Sequence, residues 1–168
     1  MIADVKADIV DLVEALPNDT VLNVFIHACN CQVTMWSGIA KAIAKAIANH
    51  YPMVYDADKR TKSGDRSKMG NYSYANVKPN VLIANAYSQF FYGKVEPVDK
   101  VTGRQTDYQA LESALIKIRD DFTHTPGRKV RFYIPKFIGQ GLAKGDPNII
   151  QPMVKEIFKD HELVLFYN

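Results

Sequence analysis

The chain has 168 residues, 47% hydrophobic and 23% charged, with 21 basic and 18 acidic residues and a formal net charge of +3. That balance excludes a surface dedicated to nucleic acid or to membranes, so an anionic ligand has to be held locally. No stretch approaches the roughly 20 apolar residues of a membrane span, the start Met1-Ile2-Ala3-Asp4 lacks the regions of a signal peptide, and the spacing of Cys29 and Cys31 suits neither a structural disulfide nor a four-ligand zinc site; a cytoplasmic chain with reduced thiols is expected.

In chain order, an opening strand over residues 2–6 leads into a short helix over 9–16. Residues 21–26 form an apolar, β-branched run that reads as a buried strand. A helix then grows out of Ser37, a plausible N-cap, with Ile39, Ile43 and Ile47 on one face and Lys41 and Lys45 turned outward. Residues 56–71 are rich in Lys, Arg, Asp and Ser and read as an exposed loop, with Lys59, Arg60, Lys62 and Lys68 as solvated charges rather than phosphate contacts. A strand over 72–77 meets the turn signal Lys78-Pro79-Asn80 and pairs antiparallel with a strand over 81–86.

A long helix over 107–122 buries Tyr108, Leu111, Leu115, Ile118 and Phe122, and Thr106 with Gln109 has the spacing of a capping box. A strand over 130–134 follows. Asp146-Pro147 reads as N-cap and first turn of the last helix, although Pro152 is expected to distort that helix or delay its start. The last strand covers 163–167. Strands alternating with helices predict an α/β domain spanning residues 1–168, with helices on both faces of a mixed, mostly parallel sheet. In such sheets ligands bind at the carboxyl ends of the strands.

Two glycine loops fall at those ends: Ser37-Gly38-Ile39-Ala40 and Gly139-Gln140-Gly141-Leu142. Glycine admits close backbone approach, and consecutive amides at a helix start bind anions without basic side chains, so the pair can clamp one diphosphate. Asp8 reads either as a helix cap or as an acceptor for an exocyclic amine, with the Ile9 amide beside it. Asn30 reads as a turn former or as a partner for ribose hydroxyls. His27, Cys29 and Cys31 share one side of their strand, yet no fourth ligand cluster accompanies them. No metal and no cofactor is expected. Trp36 and Tyr87 stack on a ligand or cover the core. Of Phe166 and Tyr167, alternation lets one face the cleft.

Along almost the whole chain these residues resemble a macro domain, the ADP-ribose-binding fold. Val5-Lys6-Ala7-Asp8-Ile9 resembles the family's Val-Lys-Gly-Asp-Ile, whose aspartate accepts the adenine amino group. His27-Ala28-Cys29-Asn30 resembles its Asn-Ala-Ala-Asn, whose second asparagine faces the distal ribose. Ser37 to Ala40 and Pro135 to Leu142 correspond to the two diphosphate loops, and Val164-Leu165-Phe166-Tyr167 to the last strand, where an aromatic packs near the adenine. The layout, including the charged insert and Asn85-Ala86-Tyr87-Ser88-Gln89, is most similar to small stand-alone macro domains of yeast and tailed bacteriophages assigned as ADP-ribose 1''-phosphate phosphatases.

The resemblance implies a three-layer α/β/α fold, a small-molecule ligand, a monomer working in the cytoplasm (a host's, if phage-encoded), and either of two activities. One is hydrolysis of ADP-ribose 1''-phosphate to ADP-ribose and phosphate, with Asp146 or His27 as base and Asn30 orienting water or substrate. The other is non-catalytic sequestration of ADP-ribose or a related signalling nucleotide. Removal of ADP-ribose from protein or nucleic acid is disfavoured, because Gln89 and Ala143 stand where the family's hydrolases carry lysine and aspartate, and Ala40 stands where another group carries aspartate.

Overall fold

The computed structural model describes residues 1–34 and 41–168. The elements run β1 (Ile2–Lys6), α1 (Ile9–Ala15), β2 (Leu22–Asn30), α2 (Lys41–His50), α3 (Pro52–Lys59), β3 (Tyr72–Lys78), β4 (Val81–Gln89), α4 (Tyr108–Thr123), β5 (Val130–Pro135), α5 (Pro147–Ile157) and β6 (Glu162–Tyr167). They form a six-stranded sheet of order β1-β6-β5-β2-β4-β3. Every pair is parallel except β3 with β4, which the Lys78-Pro79-Asn80 turn makes antiparallel.

Because strand side chains alternate, the central strands supply two cores. Val24, Ile26, Leu82 and Ala84 point to the face covered by α4 and α5, where Leu111, Leu115, Ile118 and Val154 meet them. Phe25, Val81 and Ile83 point to the opposite face, covered by Ile9 and Val13 of α1, Ala44 and Ile47 of α2 and Val54 of α3. Phe25 lies flat on Tyr133 with ring centroids 4.2 Å apart, so this second core is anchored on adjacent strands. The result is the three-layer α/β/α arrangement expected of the chain. Among the described residues no helix is long and apolar enough to cross a membrane.

Three local expectations need correction. Residues 56–71 are not simply an exposed loop: α3 continues to Lys59, Asp65 caps a 3-10 turn over Arg66–Lys68, and Asp58 and Lys68 are buried. Charge composition hid this because Asp58 falls in phase with Tyr51, Val54 and Ala57 on the buried stripe of α3. Pro152 lies inside α5, which nonetheless runs unbroken to Ile157 from its Asp146 cap and Pro147. Proline on the exposed side of a helix already started by a second proline removes one backbone bond without opening the core.

The third concerns α4. Its cap is Asp107, whose side chain accepts from the Ala110 amide at 3.0 Å, whereas the Thr106 hydroxyl turns away and donates to the Gly139 carbonyl at 2.6 Å. Asp107→Ala is therefore expected to cost about 1 kcal/mol in urea unfolding, the usual worth of a side-chain N-cap. A loss below about 0.3 kcal/mol would mean that packing alone starts the helix.

Candidate functional site

A cavity of about 320 Å³ opens at the carboxyl ends of the strands, inside the usual size range for small-molecule sites. Its walls come from His27, Ala28, Cys29 and Asn30 at the end of β2, Gln89 at the end of β4, Phe166 and Tyr167 of β6, and Ala42 and Ile43 of α2. Pro135, Phe137, Ile138, Gly139 and Ala143 close it from the loop after β5, and Asp58 reaches it from α3. The parallel order of β6, β5, β2 and β4 brings these ends together. A smaller cleft adjoins it, lined by Asp8, Ile9 and Ala46 and by Ala42, Ile43, Phe166, Tyr167 and Asn168, which border both spaces.

The loop after β5 is held from behind. The Gly139 carbonyl accepts from Thr106 Oγ1 at 2.6 Å and from the Gly145 amide at 2.9 Å, and the Ala143 carbonyl accepts from the Gln105 and Thr106 amides. Gly139 and Gly141 have φ near +70°, a region that suits glycine, and a Cβ at Gly139 would be crowded by Thr106 and Ile150 at 3.2–3.3 Å. Among the described residues nothing accepts from the Gly139, Gly141 or Leu142 amides. These donors remain available to an anion.

The other expected residues fall as follows. Asp8 is exposed and caps α1 through the Asp11 amide (2.9 Å), while still bordering the small cleft with buried Ile9. Asn30 is buried at the cavity wall, but its amide is engaged in its own turn, donating to the Thr34 carbonyl and accepting from the Gln32 amide and the Thr34 hydroxyl. Phe166 packs against Phe25 and is nearly inaccessible, whereas half-buried Tyr167 carries Lys136 Nζ 5.1 Å from its ring centre. Both border the cavity, because at a strand end the space reaches backbone as well as one face.

Gly141, Gln140 and Leu142 are not wall residues, and Leu142 is 66% exposed. Gln140 is buried, with its Nε2 lacking an acceptor among the described residues. Asp146 is exposed, spends Oδ1 on the Asn148 amide at the start of α5, and is not in the cavity wall. Trp36, Ser37, Gly38, Ile39 and Ala40 lie outside the described residues. Tyr87 is core rather than a ligand platform: it is 1% exposed, with its hydroxyl between Asp58 and Ser73.

Burial shifts the titratable groups at and just behind the inner wall. His27 is fully buried, which lowers its pKa to about 4 even though a 2.6 Å hydrogen bond to Asn85 Oδ1 works the other way, so the ring is neutral at pH 7. Burial pushes the Cys29 thiol well up and the Cys31 thiol to about 11, leaving both protonated and weakly nucleophilic. Burial also raises the Asp58 carboxyl, opposed by the hydrogen bond from Tyr87 (2.8 Å) and by the charge of Lys68. Among the described residues no group of three or more His, Cys, Asp or Glu is arranged to hold a metal ion.

Asp58 is the wall residue that sequence reasoning missed. Its signal was the buried phase of α3, together with polar residues at in-phase positions of otherwise apolar strands: His27, Asn85 and Tyr87.

No protein-family model matches the sequence. A curated relative, the uncharacterized 17.5 kDa protein of the tk-vs intergenic region of Enterobacteria phage T4, is 30% identical over 162 residues, covering 96% of this chain and 92% of that one. Among solved structures, a macrodomain protein from Streptomyces coelicolor superposes with a TM-score of 0.62 at 16% identity, over 100% of this chain and 99% of the other. Thermosipho africanus DarTG in complex with ADP-ribose gives 0.60 at 15% identity, over 86% of this chain and 38% of that one. The sheet order, the cavity at its strand ends and these likenesses agree: the chain has the macro domain fold and belongs to the same family as the phage T4 17.5 kDa protein.

Proposed function

We propose that residues 1–168 act as one macro domain that binds ADP-ribose and hydrolyses ADP-ribose 1''-phosphate to ADP-ribose and phosphate. The observation that carries this reading is the pair of adjoining spaces, one bordered by Asp8 and the other by Asp58, with the unengaged amides of Gly139, Gly141 and Leu142 on the loop after β5. Adenine fits the small cleft, where Asp8 accepts from its amino group, the Ile9 amide meets a ring nitrogen and Tyr167 borders the base. The amides of Gly139, Gly141 and Leu142 hold the diphosphate, a task the sequence also assigns to Ser37–Ala40, each charge-assisted bond contributing about 1.5–3 kcal/mol. A few such bonds with adenine burial reach micromolar affinity, about −8 kcal/mol.

The distal ribose and its phosphate then lie toward Asn30, His27 and Gln89. DarTG, 38% of whose chain matches this fold and whose structure is a complex with ADP-ribose, supports the ligand class. One observation favours a binding module instead: Asn30 spends its oxygen and one N–H on its own turn, and Asp146 caps α5 outside the cavity wall, so two of the three residues expected to act in hydrolysis already hold structural bonds.

Phosphorus NMR of the protein with ADP-ribose 1''-phosphate separates the readings. Shifted diphosphate signals together with growing free phosphate are the expected result. Shifts without release leave a binding module, and no change in either set of signals sinks the ADP-ribose assignment.

A further inference from the structure

The sheet face under α3 carries polar side chains that are bonded to one another. Ser73, Asn85 and His27 are cross-strand neighbours on β3, β4 and β2, with Tyr87 two residues beyond Asn85 and Asp58 facing it from α3. The direction of every bond in this group is determined. Asn85 Nδ2 donates to the Val54 carbonyl (3.1 Å) and to Ser73 Oγ (3.0 Å), which fixes the amide and leaves Asn85 Oδ1 as an acceptor. His27 Nε2 must therefore carry the proton in its 2.6 Å bond to that oxygen. Ser73, having accepted, gives its own proton to the Tyr87 hydroxyl (2.8 Å), and Tyr87 gives its proton to Asp58 Oδ1 (2.8 Å).

Four hydrogen bonds thus connect His27 with Asp58, and the end that only accepts is Asp58. Its second oxygen, Oδ2, has no hydrogen-bond partner among the described residues, and Asp58 borders the cavity. The alternatives are otherwise occupied. His27 has committed Nε2 as a donor and is held neutral as a very weak base, and Asp146 caps α5 away from the wall.

We infer that Asp58 takes the proton from the water that attacks the 1''-phosphate, and that Tyr87, Ser73, Asn85 and His27 are positioning residues that hold its carboxylate for that task. This rests on the hydrolysis reading above. In the step, the water oxygen bonds to phosphorus as the bond from phosphorus to the 1''-oxygen breaks, and the water's proton passes to Asp58. The electron pair of the broken bond stays on the 1''-oxygen, which takes a proton from solvent, and Asp58 later releases its own to solvent. A buried carboxylate raised above the ordinary range is a better base than a solvated one. The groups facing it are Lys68 from the 3-10 turn, Tyr87 from β4, Cys29 from β2 and Cys31 just beyond it, of which Lys68 favours the ionised form.

The test is phosphate release from ADP-ribose 1''-phosphate by the wild-type chain, Asp58→Asn and Tyr87→Phe between pH 4.5 and 8, with ADP-ribose affinity and thermal unfolding measured for each. Asp58→Asn is expected to lower kcat at least ~100-fold, the ordinary worth of a general base, with ADP-ribose affinity within about threefold of wild type. Removing the Tyr87 hydroxyl withdraws a bond that favours the carboxylate, so the acid limb of kcat/KM is expected to move up by about half a pH unit or more. A folded Asp58→Asn protein with kcat within about threefold of wild type overturns the inference while the hydrolysis reading stands. If Asp58→Asn does not fold, an unmoved limb in Tyr87→Phe overturns it. A wild-type chain that binds ADP-ribose and releases no phosphate fails the hydrolysis reading itself, and the role of Asp58 falls with it.

Discussion

A Gly145→Ala protein is expected to unfold roughly 5–10 °C below wild type and to bind ADP-ribose at least about tenfold more weakly. The reason is space. A Cβ at Gly145 would sit 2.3 Å from the Gly139 carbonyl oxygen and 2.4 Å from Ile150 Cδ1. The isoleucine tip can rotate, but the carbonyl is fixed by Thr106 and by the Gly145 amide itself. Either the loop moves and both bonds are lost, or the strain is carried in place, and overpacking of this kind costs roughly 1–3 kcal/mol before the lost bonds are added. Movement of Gly139 shifts the cavity wall and the unengaged amides beside it, so affinity falls with stability. Calorimetric unfolding and titration with ADP-ribose check the two halves separately. Wild-type values in both would mean that the loop yields freely and that its rear support is dispensable.

The second large effect is the pH dependence contributed by His27. In the unfolded chain its imidazole titrates near 6.5, and in the folded chain near 4, because burial disfavours the cation. Between those values the unfolded state binds the extra proton, so the stability His27 contributes is complete above about pH 6.5 and is lost as pH falls toward 4, about 3 kcal/mol in all. At pH 5 the loss is about 2 kcal/mol. The Asp58 carboxyl has the opposite sign: its folded pKa is raised, so acidification through its range favours the folded state. Comparison of wild type with His27→Gln, whose amide retains a donor for Asn85, isolates the histidine. The gap in stability change between pH 7.5 and 5, read from urea midpoints, should be about 2 kcal/mol, and parallel curves would place a solvated imidazole at this position.

The sheet was legible because four of its strands are apolar runs, a fifth is marked by the Lys78-Pro79-Asn80 turn and the sixth is the short opening strand; the core stripe of α4 was equally open to reading. The second glycine loop was found from Gly139 and Gly141, and the positive φ of both bears out the use of glycine there. What lies behind that loop was not legible. Thr106 has the right spacing to cap α4, and only the folded chain shows it bonded to Gly139, 33 residues away, with Asp107 taking the cap. Asp58 was missed for a different reason. In a segment of mixed charge, composition predicts solvation, but a buried carboxylate is decided by partners on other strands, and Tyr87 lies 29 residues further on. The polar side chains of β2 and β4 were visible as exceptions to apolar runs, yet their mutual bonding depends on a register that no local pattern encodes.

The pairing of β1 with β6 bears on when this protein becomes competent. Ile2 lies beside Leu163, and the Ala7 amide donates to the Tyr167 carbonyl, so β1 is synthesised well before the strand that pairs with it. At bacterial-like elongation rates β1 waits roughly 8–30 s for its partner. Until then β5 has an open edge, and the wall formed by Phe166 and Tyr167 does not exist. A chain cut short before β6 lacks both the partner of β1 and the wall that Phe166 and Tyr167 supply.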